Sequence, residues 1–125
     1  MAEELKGQPV AIDPDGYPTE AALQALRDWP VTDAPAAIEW AAEMFNTMMG
    51  RAWKVEPGEP ENESGHLEWH FATGGWSGCE DVIAALHKTG NGVLWMALWV
   101  SSRRGGKFVF TAGYRVSLAA VTASD

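Results

Sequence analysis

The chain is short of the features that announce most functions. Of its 125 residues only one is cysteine, so no intrachain disulfide forms, and a reducing compartment is the simpler expectation. Lys and Arg number nine against 17 Asp and Glu, a net charge of −8. That is too few cations for a basic-aromatic nucleic-acid surface, so direct nucleic-acid binding is not expected. The longest apolar run, Val93 to Val100, is far too short to cross a bilayer. The opening "MAEELKGQPVAIDPDGYP" has neither a basic segment nor an apolar one, so it does not read as a signal peptide. These shortages together predict a soluble protein acting in the cytoplasm.

What the chain does have is tryptophan, seven of them, and an uneven spread of charge. Tryptophan concentrates in cores and interfaces. Residues 1–68 carry 14 acids and four bases, whereas residues 69–125 carry three acids and five bases. Such a field repels nucleic acid and steers toward basic partners.

The local pattern predicts one α+β domain over 18–116, between an irregular arm at 1–17 and a frayed tail at 117–125. "YPTEAALQALRDWP" (17–30) reads as a helix capped by Thr19, with Ala22, Leu23 and Leu26 on its apolar face and Pro30 as its stop. "TDAPAAIEWAAEMFNTMMG" (32–50) reads as a longer helix capped by Asp33, with Pro35 in its first turn and Gly50 just past its end. Ile38, Ala41, Phe45 and Met48 share one side, and Trp40 and Met44 widen the stripe enough for two sides to be covered. "RAWKVE" (51–56) and "HLEWHFA" (66–72) suit strands. In the second, Leu67, Trp69 and Phe71 alternate with a polar face of His66, Glu68 and His70, expected to meet solvent. Between them the polar loop "PGEPENESG" (57–65) is expected to be mobile and to present Glu59, Glu61 and Glu63. A third helix is predicted at about 78–89. "GVLWMALWVSS" (92–102) reads as a central strand buried on both faces, and the "RRGG" turn (103–106) leads into "KFVFTAGYRV". The order ααββαββ, with two hairpins, predicts an antiparallel sheet of about four strands with helices on one side.

"TGGWSGCED" (73–81) decides between chemistry and architecture. A nucleophile elbow requires G-x-S-x-G, but Cys79 stands where the last glycine belongs. A phosphate cradle requires Lys and a hydroxyl residue after its last glycine. Glu80 and Asp81 follow here instead, and they would repel an anion. The remaining reading is a capping box, Ser77 with Glu80, launching a helix on which Cys79, Val82, Ile83 and Leu86 form the buried stripe. Cys79 is then a packed thiol, and Trp76 is placed in the core. His66, Glu68 and His70 have a metal-like composition, but alternate strand residues stand about 7 Å apart, too far for one ion. "HLE" lacks the P-C-x-x-C that a zinc deaminase needs. No metal and no cofactor is expected. Arg103 and Arg104 fit a solvated hairpin tip better than an anion grip.

The segments "TGGWSGCEDVIAAL" (73–86) and "WVSSRRGGKFVF" (99–110), with "DGYPTEAALQALRDWP" upstream as weaker support, give the chain a likeness over roughly residues 15–115. It resembles a group of small proteins encoded by phages and prophages that share T-G-G-W-S-G-x-E-D-x-I-x-A-L. That group supplies no catalytic residues. The resemblance implies a small accessory protein acting inside a bacterium, and by class analogy an inhibitor of anti-CRISPR type. The expectation is a non-enzymatic binder whose acids, with Glu56, Glu59, Glu61 and Glu63 prominent and Trp76, Arg103 and Arg104 as further contacts, occupy a basic groove of a host nucleic-acid-handling complex such as a CRISPR effector. Two alternatives stand beside it: a small-ligand or enzymatic site at the 74–78 turn with Arg103 and Arg104, and a tryptophan-faced homodimer.

Overall fold

The structure, a computed structural model, describes residues 11–111. Residues 1–10 and 112–125, which include most of the expected arm and all of the expected tail, lie outside them. The described residues open on a tight turn in which the Asp13 carboxylate accepts from the amides of Asp15 and Tyr17, each at 2.9 Å. Helix α1 (Glu20–Arg27) starts as expected: Thr19 Oγ1 accepts from the Ala22 amide at 3.0 Å. Ala22, Leu23 and Leu26 are buried. A single 3₁₀ turn at Val31–Asp33 leads into α2 (Ala34–Thr47), buried on two sides, with Ile38, Ala41 and Phe45 on one and Trp40 and Met44 on the other.

Two expected caps on α2 take other forms. Asp33 occupies the N-cap position but makes no side-chain capping bond. Gly50 does not close the helix in the left-handed region; Met48 is the C-cap. Gly50 is required by a close approach, because a Cβ there would stand 2.7 Å from Cys79 Sγ and 2.8 Å from the Ala72 carbonyl oxygen. Asn46 holds the exit by bonding both the amide (2.9 Å) and the carbonyl (3.0 Å) of Ala52.

Strands β1 (Arg51–Val55), β2 (Glu68–Ala72), β3 (Trp99–Arg103) and β4 (Lys107–Thr111) form one antiparallel sheet in the order β1-β2-β4-β3. Helix α3 (Ser77–Lys88) links the hairpins. The fold is the α+β arrangement the sequence predicts, with one addition. The run 92–102 is not a central strand. It begins as a short helix, α4 (Val93–Leu98), and only then becomes β3, which lies at the sheet edge. The left-handed stretch Gly90, Asn91 and Gly92 (φ 59°, 57° and 95°) turns the chain into α4. Leu94, Ala97 and Leu98 then follow helical spacing into the core.

The strand register sorts the sheet into two faces. Ala52, Phe71 and Phe108 share the face toward the helices with Trp69 and Phe110. Phe71 sits at its centre, 4.9 Å from the Phe45 ring of α2 and 5.6 Å from Phe110, both edge-on. The opposite face carries Trp53, Val55, Glu68, His70, Val109, Ser101 and Thr111. Among the described residues, no helix is long and apolar enough to cross a membrane.

Candidate functional site

The glycine-tryptophan-serine corner launches α3, though not through the expected capping box. Gly74 and Gly75 take positive φ (66° and 77°), and Thr73 ties the turn by accepting from the Gly75 amide at its hydroxyl. Extended Trp76 is therefore the N-cap, and no side-chain capping bond forms. Its carbonyl receives the amides of Cys79 and Glu80, each at 3.1 Å. Ser77 is already the first helical residue and Glu80 the fourth, so the S-x-x-E pair is one position out of register for reciprocal capping. Gly78 is explained by the same shift: a Cβ there would collide with the Trp76 ring. Trp76 is half-buried, packed against the core and 4.7 Å from the Tyr17 ring. Cys79 is fully buried as expected. Burial pushes its thiol pKa up and Glu80 adds to that, with hydrogen bonds from the Gly50 and Met49 backbone opposing.

The polar face of β2 does not meet solvent. Glu68 and His70 are fully buried, with His70 Nε2 2.6 Å from Glu68 Oε1. The other carboxylate oxygen accepts from the amides of Glu63 (2.9 Å) and Ser64 (2.5 Å). Burial alone would raise the Glu68 pKa, but the bonds from His70, Ser64 and Glu63 outweigh it and hold the carboxyl below its usual range. His70 Nδ1, Ser101 Oγ and Thr111 Oγ1 are buried without a hydrogen-bond partner. An acid beside an imidazole has the composition of a general-base pair, but a base must reach its substrate, and this one is sealed. Its visible work is to anchor the loop over the sheet.

The loop expected to be mobile is tied at several further points. Asn62 Nδ2 donates to the carbonyls of Val55 (3.2 Å) and His66 (2.7 Å), and its Oδ1 accepts from Gly65 N at 2.8 Å. Glu59 accepts from the Glu56 amide. Glu63 is paired with Arg103 at 2.9 Å. Two residues assigned to rival sites thus neutralise one another, while Glu56, Glu59 and Glu61 stay exposed on the loop and Arg104 on the hairpin tip.

A regularity hidden in the sequence is that, the acidic 56–63 loop aside, exposed charge among the described residues is sorted between helices and strands. The outward stripes of the helices are acidic: Glu20 and Asp28 at α1, Glu39 and Glu43 on α2, Glu80 and Asp81 on α3, all exposed. Against them stand Lys88 and Arg27, the latter consumed by Glu20 at 2.9 Å. The remaining described Lys and Arg residues lie on the sheet and its hairpin: Arg51, Lys54, Arg103, Arg104 and Lys107. Arg51, Lys107 and Arg103 fall in one cross-strand row, and Trp53 lies between the first two, 4.5 Å from the Arg51 guanidinium and 5.7 Å from Lys107 Nζ.

Two of the cavities bordered by described residues bear on function. One, of about 350 Å³, runs between α3, α4 and the β4 hairpin. Ile83, Ala84 and Phe108 line it, Trp95 forms a wall, and Glu80 and His87 supply its ionisable groups. Gly106 completes the rim, since the tip of the hairpin is held against Thr73 by a 3.0 Å bond from the Thr73 amide to the Gly106 carbonyl. The other, of about 510 Å³, is polar and bordered by Glu63, Ser64, His66 and Val100. Neither joins the 74–78 turn to Arg103 and Arg104. Among the described residues, no group of His, Cys, Asp and Glu is placed to hold a metal ion. Compared with known proteins, the chain matches no family model, and neither a curated protein nor a solved structure is significantly similar to it.

Proposed function

We propose that the protein is a non-enzymatic binding protein that presents its acidic helical surface to a basic groove. In the setting implied by its likeness to phage and prophage proteins, the target is a host nucleic-acid-handling defence complex, and binding blocks it by occupancy. The observation that carries this reading is the exposed, uncompensated acid on the helix stripes. Glu39 and Glu43 stand four residues apart on α2 and have no ion-pair partner among the described residues. Like charges at that spacing weaken a helix by a few tenths of a kcal/mol, so the pair costs stability and makes sense as a steering surface. The centre of the surface moves accordingly, from the 56–63 loop to α2 and α3.

The test is retention of host proteins from lysate at low and high salt by the wild-type chain and by Glu39→Lys/Glu43→Lys. We expect a basic complex to be retained at low salt, to fall away at high salt, and to associate at least about tenfold more slowly with the variant. Retention indifferent to both salt and charge reversal would overturn the reading. The opposed charges of helix layer and sheet also favour a second possibility, pairing between copies, which light scattering at low and high salt decides.

A further inference from the structure

The 350 Å³ cavity lies within the acidic helical surface, because Glu80, Ala84 and His87 belong to the outward stripe of α3. Its size is at the low end of the range for ligand pockets, about 300–1,000 Å³, enough for one side chain or a small molecule. Its wall is rigid. The Trp95 ring is set edge-on against Phe110 at 5.2 Å and Phe108 at 6.2 Å, stacked with Trp99 at 6.4 Å, and 4.6 Å from His87. Glu80 takes no part in capping, since the helix starts one residue earlier than its motif requires. No described cation pairs with it. The cavity therefore offers an indole wall from Trp95, an apolar floor from Ile83, Ala84 and Phe108, and a carboxylate with unused acceptor capacity.

We propose that this cavity is an anchor pocket for an arginine side chain presented by the protein's partner. A guanidinium is planar and weakly hydrated, stacks on an indole, and offers paired donors to a carboxylate. Its aliphatic stem matches the apolar floor. Lysine carries a compact, strongly hydrated charge that suits the flat Trp95 face less well. Buried arginine is also a frequent hot spot at interfaces. This assignment rests on reading the helical layer as a docking face.

The test uses the whole chain and needs no partner. Acetyl-Gly-Arg-Gly-amide is titrated while the seven tryptophan indole N–H resonances are followed, with Trp95 assigned from a Trp95→Phe variant. The arginine peptide should shift the Trp95 resonance saturably. The isosteric citrulline peptide, the lysine peptide, and the arginine peptide against Glu80→Gln should each bind at least about tenfold more weakly. Thr32→Ala, exposed and outside both the cavity and the acidic stripes, should leave peptide affinity unchanged. Equal binding of citrulline or lysine, an unaffected Glu80→Gln, or a Trp95 resonance that stays fixed would overturn the assignment. If the peptide binds as described but no basic complex is retained from lysate, the pocket stands and the docking reading falls. Retention without peptide binding has the opposite meaning.

Discussion

The two faces of the sheet are buried by different means. Toward the helices, Phe71, Phe108 and Phe110 pack against Phe45 and Trp95, and the stabilisation is apolar area and ring contact. On the other face Glu68 and His70 are as deeply buried as Phe71, yet they are held by hydrogen bonds and charge. The first kind of burial is indifferent to pH and punishes lost volume. The second is sensitive to pH and punishes lost partners. Equal burial thus hides unequal vulnerability, and substitutions at matched depth separate the two.

Phe71→Ala should have the largest effect, a loss of about 3–5 kcal/mol in denaturant unfolding, since the cavity opens between three rings. Glu68→Gln should cost less, about 1–3 kcal/mol at neutral pH, by weakening bonds to buried donors. Its signature is in pH. The Glu68 pKa is depressed in the folded state, so its contribution is fully present above the unfolded-state value of about 4.3 and is lost as pH falls through the folded value. Wild type should lose stability below about pH 4 more steeply than Glu68→Gln, and Phe71→Ala should show the wild-type slope; a Glu68→Gln curve parallel to wild type would mean that the carboxylate charge is not what holds the loop. Smaller effects distinguish two helix starts. Thr19→Ala removes a capping bond and should cost about 1 kcal/mol. Ser77→Ala removes none and should stay within about 0.5 kcal/mol in thermal or denaturant melts, whereas a cost equal to that of Thr19→Ala would restore the capping box.

Much of the fold is legible from local pattern. α1, α2, β1, β2 and α3 follow from hydrophobic periods, Thr19 and the punctuating Gly and Pro residues, because those signals act within a few residues. The run 92–102 is not legible, since eight consecutive apolar residues satisfy a strand and a helix alike. Helical spacing of Leu94, Ala97 and Leu98 becomes meaningful only once Gly90–Gly92 is known to reverse the chain. The site is less legible still. Alternation separates Glu68 and His70 from Trp69 and Phe71 but does not reveal that the polar face is covered. The pairing of Glu63 with Arg103, the cationic row through Arg51 and Lys107, and the lining of one cavity by both Glu80 and Trp95 all depend on long-range contacts. The Ser77–Glu80 motif misleads by a single position, and the residue that exposes the shift is Gly78, small because the Trp76 ring needs its space.

The bond between Thr73 and Gly106 has a practical consequence. A hairpin tip is ordinarily a forgiving place to splice in a tag or a reporter domain. Here the tip between β3 and β4 is buttoned to the turn that launches α3, with Gly106 pressed so close that a Cβ would collide with Thr73 Oγ1. A foreign segment inserted at 104–106 would pry open that fastening and release one wall of the aromatic cavity, so fusions designed for tracking this protein belong elsewhere.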